Sequence, residues 1–300
     1  MTLHPLCAEY FVRNGAVDLV LSALRDESNH DDFTLQVLLK VVRNISMWSR
    51  SLQCKIAHAL VDQELTCLVG HVEKPASYID VTHQTTSLYW EQNFWDAHVF
   101  FLWSCLFQCE NEDIVVELVG ILNNLTVDDL PAGNQWHDLM EEYSSDMLQF
   151  LKRVLDPNDG SVAPCCDDLK LEAILWIGEL CADKECSCWL VNVLDDTNRI
   201  LTQSFVRKKD NEMGIGILFF YEQLLLHEET RFQVIGGDGV IDAILLCLEE
   251  GHALGAAADK CLILTEDLNR DNDGTLGEVG CYIREARYDL FAQTDDDDVS

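Results

Sequence analysis

Residues 269–280, NRDNDGTLGEVG, have the residue types and spacing of a calcium loop. Asn269, Asp271 and Asp273 stand at the first, third and fifth positions, Gly274 at the sixth and Leu276 at the apolar eighth. Calcium is a hard cation that wants a shell of oxygens, closed at the twelfth position by a bidentate glutamate. That position holds Gly280, and Glu278 falls two places early. With two oxygens lost, the sequence predicts weak calcium binding or none, in a loop whose Asp, Asn and Gly also suit an ordinary helix end.

The remaining reactive residues assemble no site. Thirteen cysteines include Cys165–Cys166 and the trio Cys181, Cys186 and Cys188. A structural zinc site needs four ligands, usually as paired C-x-x-C units or with histidines at ligand spacing. Neither pattern occurs, so the expectation is buried free thiols. Gly214–Gly216 (GIG) lacks the third glycine of a nucleotide loop and lies in a helical run. The nine histidines are scattered, and His227 in LLLHEET reads as a helix-end residue facing the negative dipole terminus. No activated nucleophile or P-loop is recognisable. The expectation is a non-enzymatic chain with no cofactor and no metal.

Charge narrows the partners. Fifty-three acids against twenty bases leave −33, a field that repels phosphate backbones and anionic membranes. Basic protein segments are favoured, unless the acidity serves solubility alone. The longest apolar run, VFFLWSCLF at 99–107, is too short to span a bilayer. The first residues, MTLHPLCAEYFVRNGA, lack the layout of a secretory signal, so a cytoplasmic protein with reduced thiols is expected.

Elements of one type must carry these residues. With 48% apolar residues and only 5 prolines, the chain can bury a large core and is not loop-rich. Two N-x-S/T sequons, at Asn44 and Asn124, have the pattern of glycan acceptors, but both lie inside apolar runs of helical period rather than exposed loops. Leu35, Leu38, Leu39, Val42 and Ile45 recur around the first, and Ile114, Leu118, Ile121, Leu122 and Leu125 around the second. Breaks such as RDESNHDD, DPNDG, RKKDNE and GGDG separate the helical runs. Four helices share a design: LLKVVRNIS, LVGILNNLT, AILWIGELC and ILFFYEQLLL. Their aligned polar positions are Asn44, Asn124, Glu179 and Gln223, with steps of 124 − 44 = 80, 179 − 124 = 55 and 223 − 179 = 44. The last step is close to the ~40–47 residues of armadillo and HEAT repeats. FVRNGAVDLVLSAL and FQVIGGDGVIDAILLCL repeat one grammar of helix, glycine turn and second helix. Such units cover their apolar faces only by stacking. The fold class expected is therefore all-α, an armadillo-type α-solenoid, a right-handed superhelix of three-helix repeats. A helical bundle is the rival, but it needs no recurring turn grammar.

Ordered blocks carry a family resemblance. VLLKVVRNIS (37–46), NNLTVDDL (123–130), LQFLKRVLDP (148–157), LEAILWIGELCAD (171–183), FFYEQLLLHEETR (219–231) and VIDAILLCLEE (240–250) resemble, in order, the C-terminal armadillo region of the kinesin-associated protein family. The resemblance implies an adaptor joining kinesin-II motor-subunit tails to cargo, through basic or apolar segments, in microtubule-based intraflagellar transport. It implies cytoplasm, microtubules and the cilium or flagellum as the setting. A general armadillo peptide-binding scaffold, of import-receptor or junctional type, is the alternative. By motif match, Asn44 and Asn124 would belong to an asparagine ladder on the concave face. Glu179 and Gln223 take the equivalent positions without matching it. Each Asn could instead bond neighbouring backbone in the stack. The expected organisation is a solenoid over 1–268 with an insertion at 72–99, then a loop, a short helix and an acidic tail over 269–300. The aromatics of the insertion, Tyr78, Tyr89, Trp90, Phe94 and Trp95, could anchor a partner or pack the loop onto its own scaffold.

Overall fold

The computed structural model describes residues 14–25, 31–47, 111–126, 143–155, 165–193, 211–237, 239–249 and 252–271, with Trp103, Leu106, Phe107, Cys109 and Met140. Among them every regular element is an α-helix. In chain order these are α1 (Ala16–Arg25), α2 (Asp32–Ser46), α3 (Glu112–Thr126), α4 (Ser144–Leu155) and α5 (Asp167–Leu180). They continue with α6 (Lys184–Val193), α7 (Asn211–Leu226), α8 (Glu228–Ile235), α9 (Val240–Glu249) and α10 (His252–Asp271). The expected insertion at 72–99 and the acidic tail lie outside the described residues. Of the calcium-like loop, Asn269–Asp271 are the last turn of α10 and the rest is likewise outside.

Side chains fix where the helices begin. Asp31 sits in extended backbone before α2, and its Oδ1 accepts the Thr34 N–H at 2.8 Å. Asn111 Oδ1 does the same for Asp113 and Ile114 at the start of α3. Asp183 Oδ1 accepts the N–H groups of Glu185 and Cys186, both at 2.9 Å, at the start of α6. Each satisfies donors that the first helical turn leaves without carbonyl partners, worth about 1 kcal/mol.

The chain divides into two compact units, Met1–Phe150 with Cys165–Trp176, and Leu151–Pro164 with Ile177–Ser300. The division runs through α4 and α5. In the first unit α2 packs on α1 and α3. Leu35, Leu39, Val42 and Ile45 are the buried stripe of α2, as its periodicity requires. Helix α3 is buried on more than one side: Ile114, Val115, Leu118, Val119, Ile121, Leu122 and Leu125 are all enclosed. A helix apolar nearly all round is an inner helix. An aromatic cluster completes this core. Trp103 and Trp176, both fully buried, meet edge to face with centroids 5.2 Å apart, and Phe107, Tyr143 and Phe150 surround them.

The second unit contains one three-helix repeat in full. Helices α8, α9 and α10 follow one another, with the turn at Gly236–Gly239 between the first two. Gly239 adopts φ +78°, a left-handed conformation that costs glycine little and a side chain much. Gly15, with φ +74°, plays the same part before α1. In both stretches the glycine turn predicted before the second helix is thus built on a positive-φ glycine; residues 11–13 of the first stretch lie outside the described residues. Helix α10 packs along α7 and α9. Cys261 Sγ on α10 donates to the Leu218 carbonyl at 3.3 Å. The end of α7 is closed by side chains from α8. Arg231 donates to the Leu225 and Leu226 carbonyls, and buried Thr230 to Leu224. These carbonyls have no intrahelical partner, and the guanidinium also suits the negative helix end.

Candidate protein-binding face

The four aligned positions all fall on the long helices that the shared design picked out. Asn44 is on α2, Asn124 on α3, Glu179 on α5 and Gln223 on α7, and all four side chains are half-buried. Their surroundings differ. Asn44 Nδ2 donates to the Lys40 carbonyl one turn back, at 2.8 Å. Asn124 Nδ2 reaches across to α2 and donates to the Arg43 carbonyl at 3.0 Å and to Ser46 Oγ at 2.9 Å. Ser46 is buried and donates in turn to the Arg43 carbonyl. Asn124 thus bonds a neighbouring helix, whereas the Asn44 bond stays within its own helix.

Beside Asn124 lies a group that sequence reasoning missed. Arg43 extends from α2 over Gly120 of α3, where a Cβ would overlap its side chain. Its guanidinium pairs with Glu172 on α5 and stands 3.5 Å from Glu117 Oε2 on α3. Glu117 is 3% exposed, and Lys40 approaches its other oxygen at 4.0 Å. Burial pushes the Glu172 carboxyl above the usual carboxylate range, Arg43 pulls it back down, and the negative charge of Glu117 raises it further. Three helices of the first unit therefore share one guanidinium. The only local signal was Gly120, one turn before Asn124 on the same face of α3. Nothing in the sequence pairs it with a residue 77 positions away.

The second unit uses another chemistry at the corresponding place. Gly178 on α5 receives the ring of Phe219 from α7, whose edge would lie 2.7–2.8 Å from an added Cβ. Polar pairs lie further out. Glu222 on α7 is 3.9 Å from Lys260 on α10, and Lys184 on α6 pairs with Glu229 on α8. His227 follows the last residue of α7, at the helix end where it was expected. Its Nε2 lies 2.8 Å from the Cys181 carbonyl, so the ring also ties α8 to the turn after α5.

The described cysteines are free thiols, buried at Cys109, Cys181, Cys186, Cys247 and Cys261. Burial pushes the thiols of Cys181, Cys186 and Cys261 far above the ordinary range, which keeps them protonated. Among the described residues no group of three or more Cys, His, Asp or Glu could hold a metal ion, and no helix is long and apolar enough to cross a membrane. The triplet Gly214–Gly216 lies inside α7, in a helix rather than a phosphate-cradling loop.

Helices packed on their neighbours within each unit, with glycine turns before α1 and between α8 and α9, define an armadillo-type all-α fold. Solved structures share it. A crystal structure of an engineered protein superposes with a TM-score of 0.54 at 14% identity, covering 95% of this chain and 71% of that one. A designed armadillo repeat protein in complex with the peptide (KR)4 gives 0.52 at 11% identity, covering 88% and 87%. A second designed armadillo repeat protein gives 0.50 at 14%, covering 82% and 99%. The model of the kinesin-associated protein (KAP) family matches residues 90–262. The chain belongs to that family.

Proposed function

We propose that the chain is a non-enzymatic adaptor that links kinesin-II motor subunits to cargo in microtubule-based, intraflagellar transport. The observation that carries this reading is the family match over residues 90–262, which takes in α3 to α9 and most of α10. The stacked helices give it a mechanism. In an armadillo stack, side chains of successive long helices present a preformed face that binds an extended segment without paying for its own ordering. Asn44, Asn124, Glu179 and Gln223 are the residues proposed to line this face. The charge of −33 suits basic motor tails: long-range attraction raises the encounter rate and short-range packing sets residence time. Cytoplasm, microtubules and the cilium or flagellum are the proposed location.

Pull-down from native ciliated-cell extract tests the reading. Kinesin-II motor subunits should be recovered, with capture falling as salt rises toward 0.5 M, where the Debye length shrinks to about 4 Å. Recovery of nuclear-import substrates without motor subunits would replace this reading with that of a general armadillo peptide receptor. The fold shared with a designed armadillo protein that holds a (KR)4 peptide favours that second reading.

A further inference from the structure

The polar face of the first unit is occupied by its own chain. Glu117 and Glu172 come from different helices, keep only 4% and 13% side-chain exposure, and converge on the one guanidinium of Arg43. The set is unbalanced. Lys40 stands 4.0 Å from Glu117 on a side chain 60% exposed, where a cation spends little of its charge on a buried acid. Glu117 Oε2 is enclosed, 3.5 Å from Arg43 Nη1, and accepts no hydrogen bond among the described residues. A buried carboxylate oxygen without a donor forfeits the solvation it lost on folding. Gly120 forms the floor, since any side chain there would fill the space the Arg43 stem crosses. Two converging carboxylates, an undonated oxygen and a bare glycine floor make a slot fitted to a planar fork of N–H donors. An ammonium, a point charge, cannot span both acids.

We propose that this slot is an arginine-binding site of the first unit, closed in this structure by Arg43, and that an arginine from an extended basic partner segment displaces it. The proposal rests on the adaptor reading and names the residue a partner would present. Arg43 is suited to leaving: its side chain is already 26% exposed and is carried on a flexible, unbranched stem. The incoming group replaces like with like and adds a donor for Glu117 Oε2. Phe33 and Val37, exposed at 71% and 44%, continue the face of α2 that carries Lys40 and Asn44 and offer apolar surface to the segment's aliphatic stems. The field of the whole chain concentrates such a segment nearby.

The test is binding of a labelled (KR)4 peptide to the full chain, followed by fluorescence anisotropy. Arg43→Ala should bind roughly tenfold tighter than the parent chain, the equilibrium value of one charged hydrogen bond. Adding Glu117→Gln and Glu172→Gln should abolish the gain. Equal or weaker binding by Arg43→Ala, or a gain that survives loss of both acids, overturns the proposal. Should Arg43→Ala not fold, Arg43→Lys leaves a cation that cannot fork across the two acids and should show a smaller gain; no gain overturns it equally. Methylguanidinium should raise the melting temperature of Arg43→Ala and not that of the parent chain, and methylammonium should do so less. Equal responses to the two cations also overturn it. Capture of motor subunits is scored separately. Motor capture without any Arg43 effect sinks the slot alone, whereas an Arg43 effect without motor capture sinks the adaptor reading alone.

Discussion

Arg43 over Gly120 in the first unit and Phe219 against Gly178 in the second solve one problem in opposite ways. In the alignment of the four long helices, Arg43 and Gly178 occupy the position just before Asn44 and Glu179. Gly120 and Phe219 both stand four residues before Asn124 and Gln223. Each crossing thus pairs a large side chain with a glycine, and the two have exchanged helices. Close approach of neighbouring long helices needs one side of the crossing bare, and either side serves. The consequences differ with the large partner. A guanidinium brings two carboxylates into a polar cross-brace, beside the Asn124 amide bonded to the Arg43 carbonyl, whereas a phenyl ring closes its crossing with apolar packing.

The comparison can be broken from its apolar end first. Gly178→Leu puts a branched side chain against the Phe219 ring and the Phe220 backbone, and should destabilise the chain by about 3 kcal/mol, the upper range for overpacking. Gly120→Ala should cost much less, because the long Arg43 stem can swing aside. Equal losses in urea denaturation would mean that the two crossings are alike after all. Next comes Arg43→Ala. It strands two largely buried acids and should cost about 2 kcal/mol, below the range for a fully buried pair because Arg43 is partly exposed. Restoration of stability by Glu117→Gln with Glu172→Gln would confirm that the stranded charge is the cause.

A pH series probes the second unit next. The buried thiols Cys181, Cys186 and Cys261 all lie in the second unit and have folded-state pKa values raised above the ordinary thiol value. The native state holds these protons while the unfolded chain releases them. Stability is therefore fully present below the ordinary thiol pKa and is lost as pH rises beyond it. The loss should be about 1.4 kcal/mol per thiol for each pH unit above about 8.5. Replacement of the three by Ala or Ser should flatten this arm of the profile, and an unchanged slope would refute the burial argument. Glu172 acts in the same sense in the acid range. With its folded pKa raised, stability falls as pH climbs through that value, and Glu172→Gln removes the slope. The smallest effect is the asparagine pair. Asn124→Ala loses two cross-helix hydrogen bonds and should cost about 1 kcal/mol, while Asn44→Ala loses one within its own helix and should cost a few tenths. Equal costs would return the two residues to a single ladder role.

Much of the fold was legible because helical period is a local property. Leu35, Leu39, Val42 and Ile45 announce which side of α2 is buried, and the structure buries that side. The glycine turns at Gly15 and Gly239 were legible for the same reason, since few residues tolerate their backbone conformation. The polar positions Asn44, Asn124, Glu179 and Gln223 could be aligned, yet their environments could not be read. Whether an amide faces a groove or a neighbouring carbonyl depends on how far the next helix slides along its partner. The Arg43–Glu172 pair joins residues 129 apart, and the Trp103–Trp176 contact also closes a long span. No spacing rule connects such residues.

The sequence by itself determined the helical element type, the buried sides of α2 and α3, the glycine turns at Gly15 and Gly239 and the stacked-repeat fold class, because these follow from short-range periodicity and backbone sterics. Only the tertiary structure decided which glycine would admit an arginine and which a phenylalanine. That choice rests on the register of one helix against another, which is set by packing across the whole core and written in no local stretch of chain.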